Sequence, residues 1–245
     1  MYELLQHTTV FPLVEHGRNV TTLAFSPDGL WLATGSDDSI IRLWRFHNLD
    51  SPPLLLSGHG GVINSLAFSL PDGRWLATGS DDKTVRLWDM YNLDTAPVVL
   101  SGHRKAVNAL AFSPDGKWLA SGSDDSMVRL WKMNDLDATP VMLRGDGYRV
   151  LTLAFSPPDG QWLAIGSDDW TLRLWRIYPL EESPLLIDAG NSVNTVAFSP
   201  NGKLLAAASE TNWAQRKIMK SSCGKQIVWR KGPKNFRSTI RRLRQ

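Results

Sequence analysis

A seven-residue phrase, Leu23-Ala-Phe-Ser-Pro-Asp-Gly29, returns at 66–73, 110–116, 153–160 and, loosened, at 196–202. The phenylalanines Phe25, Phe68, Phe112, Phe155 and Phe198 stand 43 or 44 residues apart, and so do Trp44, Trp88, Trp131 and Trp175. A fixed period of that length marks a stacked or radial array, in which the apolar face of each unit is covered only by its neighbours. Presenting a broad rigid surface is the first expectation for such a chain, ahead of catalysis.

Within one period, apolar residues alternate and break at turn residues. Strands are predicted over 20–26, 31–35, 40–45 and 53–56, with turns at Pro27-Asp28-Gly29 and 36–39. Pro53 at the start of the fourth suits an edge strand, which need not donate every ladder bond. Four short antiparallel strands per repeat make a propeller blade, so the fold class is all-β with about five four-stranded blades.

The units resemble the WD-repeat β-propellers. Gly58-His59 and Gly102-His103 match that family's Gly-His element, Leu87-Trp88-Asp89 supplies a literal Trp-Asp, and Leu-Trp ends the third strand of the other repeats. The resemblance covers about residues 12–213, with repeats near 12–52, 53–96, 97–139, 140–182 and 183–213, followed by a basic tail over 214–245. It implies a hydrogen-bonded chain inside each blade. The expected sets are His16, Thr34, Asp38 and Trp44; His59, Thr78, Asp82 and Trp88; and His103, Ser121, Asp125 and Trp131. The chemistry is reasonable on its own terms. A buried carboxylate needs hydrogen bonds, which an imidazole supplies, while an indole N–H finds a hydroxyl. A hydrolytic triad is not expected, because the set recurs once per blade without an oxyanion loop such as Gly-x-Ser-x-Gly.

Two repeats depart from the pattern. The fourth has Asp146 for histidine and Ile165 for Ser or Thr, so Asp169 is expected to be wetter than its counterparts or poorly satisfied. The fifth has Ala189, Ala207 and Thr211 at the first three positions and Lys217 at the tryptophan position. Phe11 to Glu15 aligns with the outermost strand 53–57, and in the resembled family such a strand joins the last blade and closes the ring. Ile227-Val228-Trp229 is then a displaced third strand of that blade. Members of the family usually have seven blades, so the chain is either a small closed ring or part of a larger array.

Charge divides the chain unevenly. Residues 1–210 carry 24 acids against 16 Lys and Arg, whereas residues 211–245 carry 11 Lys and Arg and no acid. The tail is either divergent sequence after a broken repeat or an arm for nucleic acid, which would act through phosphates and fade with salt. The single cysteine, Cys223, excludes an internal disulfide and a zinc-type CxxC, and no apolar run reaches the length of a membrane span. A soluble, cytoplasmic protein is expected.

Propeller function belongs to the loops at the two ends of the ring, because packing consumes the strands. The end with the Gly-His loop carries Asp37, Asp81, Asp124, Asp168 and Glu210 before the turn aspartates, an acidic ring that is either plain turn chemistry or a face for a cationic partner. Beside the Gly-His positions the repeats stop agreeing: Arg18, Lys105, Tyr148 and Arg149 stand there. Tyr148 and Arg149 are the best candidates for binding energy, since Tyr and Arg carry it disproportionately. No metal, cofactor or small-molecule substrate is expected. The residues favour a non-catalytic scaffold for protein partners. Alternatives are a sensor segment of a larger signalling protein, or a nucleic-acid-associated protein acting through its tail.

Overall fold

A computed structural model describes residues 16–48, 51–145, 147–181, 183–209, 216–220 and 226–230, with backbone alone for Ser209 and the last two segments. Its strands form five separate four-stranded sheets, and the described residues include no helix. The first blade is β1 (Val20–Phe25), β2 (Trp31–Ser36), β3 (Ile41–Arg45) and β4 (Leu54–Leu56). Blade two is β5 (Ile63–Phe68), β6 (Trp75–Ser80), β7 (Val85–Asp89) and β8 (Val98–Leu100). Blade three is β9 (Val107–Phe112), β10 (Trp118–Ser123), β11 (Met127–Lys132) and β12 (Val141–Arg144). Blade four is β13 (Val150–Phe155), β14 (Trp162–Ser167), β15 (Thr171–Arg176) and β16 (Leu185–Asp188). Each of these four is an antiparallel meander in chain order.

The recurring phrase is the first turn of every blade. Ser26 Oγ accepts from Trp31 N (2.9 Å), Asp28 Oδ1 accepts from Leu30 N (2.9 Å), and Gly29 takes φ +71°. Ser69 with Asp72, and Ser113 with Asp115, repeat the arrangement, and Gly73 and Gly116 again take a positive φ. The serine and aspartate cap backbone donors that the turn would leave unpaired, and glycine bears the left-handed conformation without steric cost.

The cores lie between blades rather than within them. Ala33, Ile41, Leu43 and Leu56 of blade one pack against Ile63, Leu66, Phe68, Leu76 and Trp88 of blade two, and the pattern repeats at the next junctions. Glycine makes this close contact possible. A Cβ on Gly35, Gly79, Gly122 or Gly166 would come within 2.4–2.8 Å of Ile63, Val107, Val150 or Val193 of the following blade. Polar side chains stitch the same junctions: Thr21 Oγ1 donates to Ile63 O, Asn64 Nδ2 to Val107 O (3.3 Å) and Asn108 Nδ2 to Val150 O (3.2 Å). In blade four this strand position is Leu151.

Blade five keeps β17 (Val193–Phe198) and β18 (Leu204–Ser209) but not the meander. Its third position is filled by β20 (Gln226–Arg230), which runs parallel to β18, with β19 (Arg216–Lys220) antiparallel outside it. The cause is topological. The chain crosses to the outer edge before returning, and a parallel neighbour requires such a crossover.

The five blades do not close into a ring. Consecutive inner strands pack together from β1 to β17, but no comparable packing joins β17 to β1 among the described residues. Val20, Leu23 and Phe25 are consequently 47%, 61% and 55% exposed, against 0%, 7% and 7% for Ile63, Leu66 and Phe68 at the matching positions of blade two. The small closed ring is thus not what these residues form. The closing strand expected at 11–15 lies outside the described residues.

Candidate interaction face and the polar chains beneath it

Blade two holds a complete polar chain. Trp88 Nε1 donates to Thr78 Oγ1 (3.1 Å), Thr78 Oγ1 lies 2.7 Å from His59 Nε2, and His59 Nδ1 lies 2.7 Å from Asp82 Oδ2. A neutral imidazole protonated on Nδ1 satisfies every link: indole to hydroxyl, hydroxyl to Nε2, and Nδ1–H to carboxylate. Burial pushes the His59 imidazole below the usual histidine range, against the opposing pull of Asp82. Burial alone would raise the Asp82 carboxyl, but the Thr84 hydroxyl, Gly60 N–H, His59 and Thr84 N–H outweigh it and bring its pKa down to about 2.

Blade three repeats the chain and adds a cation. Trp131 Nε1 donates to Ser121 Oγ (2.9 Å), Ser121 Oγ lies 2.8 Å from His103 Nε2, and His103 Nδ1 lies 3.0 Å from Asp125 Oδ2. The guanidinium of Arg129 lies 3.2 Å from Asp125 Oδ2 and 2.6 Å from His103 Nδ1, and donates to Gly102 O (2.7 Å).

Blade one is wired differently from the expected set. His16 Nε2 and Trp44 Nε1 reach Thr34 Oγ1 at 2.8 and 3.0 Å, but Arg42 stands between His16 and Asp38. Its NH1 donates to His16 Nδ1 (3.1 Å) and pairs with Asp38 Oδ2 (2.8 Å). An arginine that must be paired when buried takes the carboxylate, and the imidazole turns its lone pair to the arginine.

Blade four corrects the expectation for Asp169. The carboxylate is neither wet nor poorly satisfied: its side chain is 8% exposed, ion-paired with Arg173, and accepts from Thr171 N (2.9 Å) and Thr171 Oγ1 (2.6 Å). The cost of the missing hydroxyl falls elsewhere. With Ile165 in the strand, the buried Trp175 Nε1 has no hydrogen-bond partner among the described residues. A cleft between blades three and four, lined by Val128, Arg144, Tyr148, Ile165, Arg173 and Trp175, opens beside it.

Sequence reasoning missed Arg42, Arg129 and Arg173, all buried. The available signal was Arg-Leu-Trp in four repeats, a cation at an inward position of a strand where only a paired one is tolerated.

On the end face, four of the five expected acids are tied to a local donor. Asp37 accepts from Asn19 (3.1 Å), Asp81 from Asn64 (2.7 Å), Asp124 from Asn108 (2.6 Å), and Asp168 from Arg149 Nε (2.7 Å). Arg149 is thereby fixed beside the β14–β15 turn with its side chain still 57% exposed. Tyr148 is exposed, as are Arg18 and Lys105. Glu210 lies outside the described residues. A further residue stands out: Trp170, in the same turn as Asp168, is 56% exposed and has φ +70°. Ser39, Lys83 and Ser126 hold that left-handed position in blades one to three. Among the described residues, no cluster of His, Cys, Asp and Glu has the makings of a metal site.

The family described as WD domain, G-beta repeat matches residues 7–45, 51–89, 96–132, 140–176 and 184–213. Among curated proteins, the chain is 62% identical over 30 residues to a ribosome biogenesis protein, ERB1, of Debaryomyces hansenii, covering 12% of this chain and 4% of that one. It is 36% identical over 69 residues to the nuclear distribution protein PAC1 of Scheffersomyces stipitis, covering 26% of this chain and 13% of that one. A third, the protein HIR1 of Candida albicans, is 58% identical over 33 residues, 14% of this chain and 4% of that one. The chain therefore spans only a small part of these relatives.

Proposed function

Since the chain belongs to the WD-repeat family, we propose that it is a non-catalytic scaffold that binds protein partners through the end face of blade four. The single observation behind this reading is Trp170. A bulky side chain at a left-handed backbone position costs energy that serine there avoids to a greater extent, and such outliers gather at functional sites. An exposed tryptophan also returns the most energy when a partner covers it. Tyr148 and Arg149 flank the same turn, so three residue types that dominate binding hot spots meet on one blade. Beneath that face, the Arg173–Asp169 ion pair and the Thr171 hydroxyl hold the turn of blade four, and the histidines, hydroxyls and aspartates do the same in blades one to three. They serve as packing rather than chemistry, since their donors and acceptors are taken up within each blade.

The test is affinity capture from a cell extract with the full chain, compared with Trp170→Ser and Tyr148→Ser. Serine is what blades one and three carry at the first position, so Trp170→Ser keeps the fold. Partners retained by the parent chain should be lost from both variants. Equal recovery on all three baits would place the binding surface elsewhere.

A further inference from the structure

We propose that the guanidinium of Arg86 is the recognition group of an oxyanion site on the end face of blade two, one that takes a carboxylate or phosphate group from outside the chain. The proposal does not depend on the blade-four reading. It rests on the four arginines that stand two residues before a blade tryptophan and opposite the middle residue of the second strand. Arg42 pairs with Asp38 (2.8 Å), Arg129 with Asp125 (3.2 Å), and Arg173 with Asp169. Arg86 holds the same place in blade two, is partly buried, and makes no ion pair or side-chain hydrogen bond among the described residues. Its Nε is buried without a partner.

The local acids are already occupied. Asp82 Oδ2 accepts from His59 Nδ1 (2.7 Å) and Gly60 N (3.0 Å), and Oδ1 accepts from Thr84 N (2.9 Å) and Thr84 Oγ1 (2.7 Å). A carboxylate has about four lone-pair sites, so Asp82 has none left for an arginine. Asp81, the other acid of the turn, accepts from Asn64 (2.7 Å). Arg129 also donates to Gly102 O (2.7 Å), whereas Arg86 leaves Gly58 O, the matching carbonyl, unbonded. The guanidinium still lies against that loop: a Cβ on Gly58 would sit 3.0 Å from its NH1. Ser57, Gly58 and Gly60 are exposed, and a glycine at 58 leaves the fork uncovered toward the end face. A cation withdrawn from water calls for an anion, and the planar fork matches a carboxylate or phosphate through two parallel N–H···O bonds. His59 reports on the site from beneath. Burial lowers its imidazole most, Asp82 pulls it up, and the Arg86 charge pushes it down, so an anion on Arg86 cancels that last push.

Sodium acetate and sodium phosphate, each titrated into the full chain at constant ionic strength set with chloride, test this while NMR follows the Arg86 Nε–H and the His59 ring. The expected result is a saturable shift of the Arg86 signal and a higher His59 pKa in the bound state. Arg86→Met should weaken the binding by about tenfold or more, the loss of one charge-assisted pair, and Arg86→Lys should weaken it less because it keeps the charge without the fork. A response to acetate shows that the carboxylate of an acidic side chain suffices, and a response confined to phosphate names the phosphate group as the ligand. Arg86→Met removes a cation that has no partner within the chain, so the variant keeps its fold, which circular dichroism checks. No saturable response to either anion would overturn the proposal. So would a response that Arg86→Met leaves unchanged, which would place the anion on other cations of the face.

Discussion

The second strands of blades two and four differ in one residue, Thr78 against Ile165, and blade four has Asp146 in the sequence position of His59; the two cores solve the same problem in different ways. In blade two the hydroxyl joins indole to imidazole, and the aspartate is reached through a neutral ring. In blade four the hydroxyl is gone, a direct Arg173 ion pair holds the aspartate, and the indole N–H is left without a partner. A buried carboxylate must be satisfied by something, whereas a single orphaned N–H costs only about 1–3 kcal/mol and is survivable. The repeat therefore tolerates loss of its middle link more easily than loss of its acid.

That difference can be broken from the acid side. Asp169→Ala removes the carboxylate ion-paired with the buried Arg173 guanidinium and should cost about 3–5 kcal/mol in denaturant unfolding. Asp82→Ala strands a neutral imidazole and backbone N–H groups and should cost less, about 1–3 kcal/mol. Equal losses would mean that Arg173 is not the partner that matters. Converting blade two toward blade four by Thr78→Ile orphans both Trp88 Nε1 and His59 Nε2. At about 1–3 kcal/mol for each buried group, it should destabilise more than the single orphan in blade four does.

Acid should separate the blades as well. Burial lowers the imidazoles of His59 and His103 in the folded state, so the unfolded chain binds more protons below the ordinary histidine value of about 6.5. Stability carried by these two rings is complete above that pH and falls as pH drops below it. Asp82, with a folded pKa of about 2, loses its share in a later window, from the ordinary carboxylate value down toward 2. Urea midpoints measured across pH should show the first loss shrink in His59→Gln and the second in Asp82→Asn. The smallest effect comes from repairing blade four. Ile165→Thr offers Trp175 an acceptor but removes buried methyl surface, so net stability should stay within ~1 kcal/mol. Slower hydrogen exchange of the Trp175 indole is the sharper measurement.

The sequence carried the blades well, because strands, turns and the residues of the polar chains all recur with one period. Period cannot show which of several polar side chains a buried acid meets. Arg42 lies between His16 and Asp38, whereas Arg129 reaches both His103 and Asp125 while those two also meet directly, although both arginines stand two residues before a tryptophan. Trp170 was hidden for a related reason: its turn reads as ordinary Asp-Asp chemistry, and only the backbone angle shows what the side chain costs. The openness of the array was equally out of reach, since Leu23 and Leu66 are the same residue in the same phrase and differ only in having a neighbour.

The asparagine stitches give the array a mechanical grain. Thr21, Asn64 and Asn108 each clamp a carbonyl of the following blade, whereas Leu151 has no donor for this and blade five is tied by a longer bond, from Val196 N to Thr152 Oγ1 (3.4 Å). In a linear stack the weakest joint yields first, whatever the strength of the others. Pulled from its two ends in an optical trap, the chain should release blade five before any other blade. Leu151→Asn should raise the force of that first step and leave the later ones unchanged.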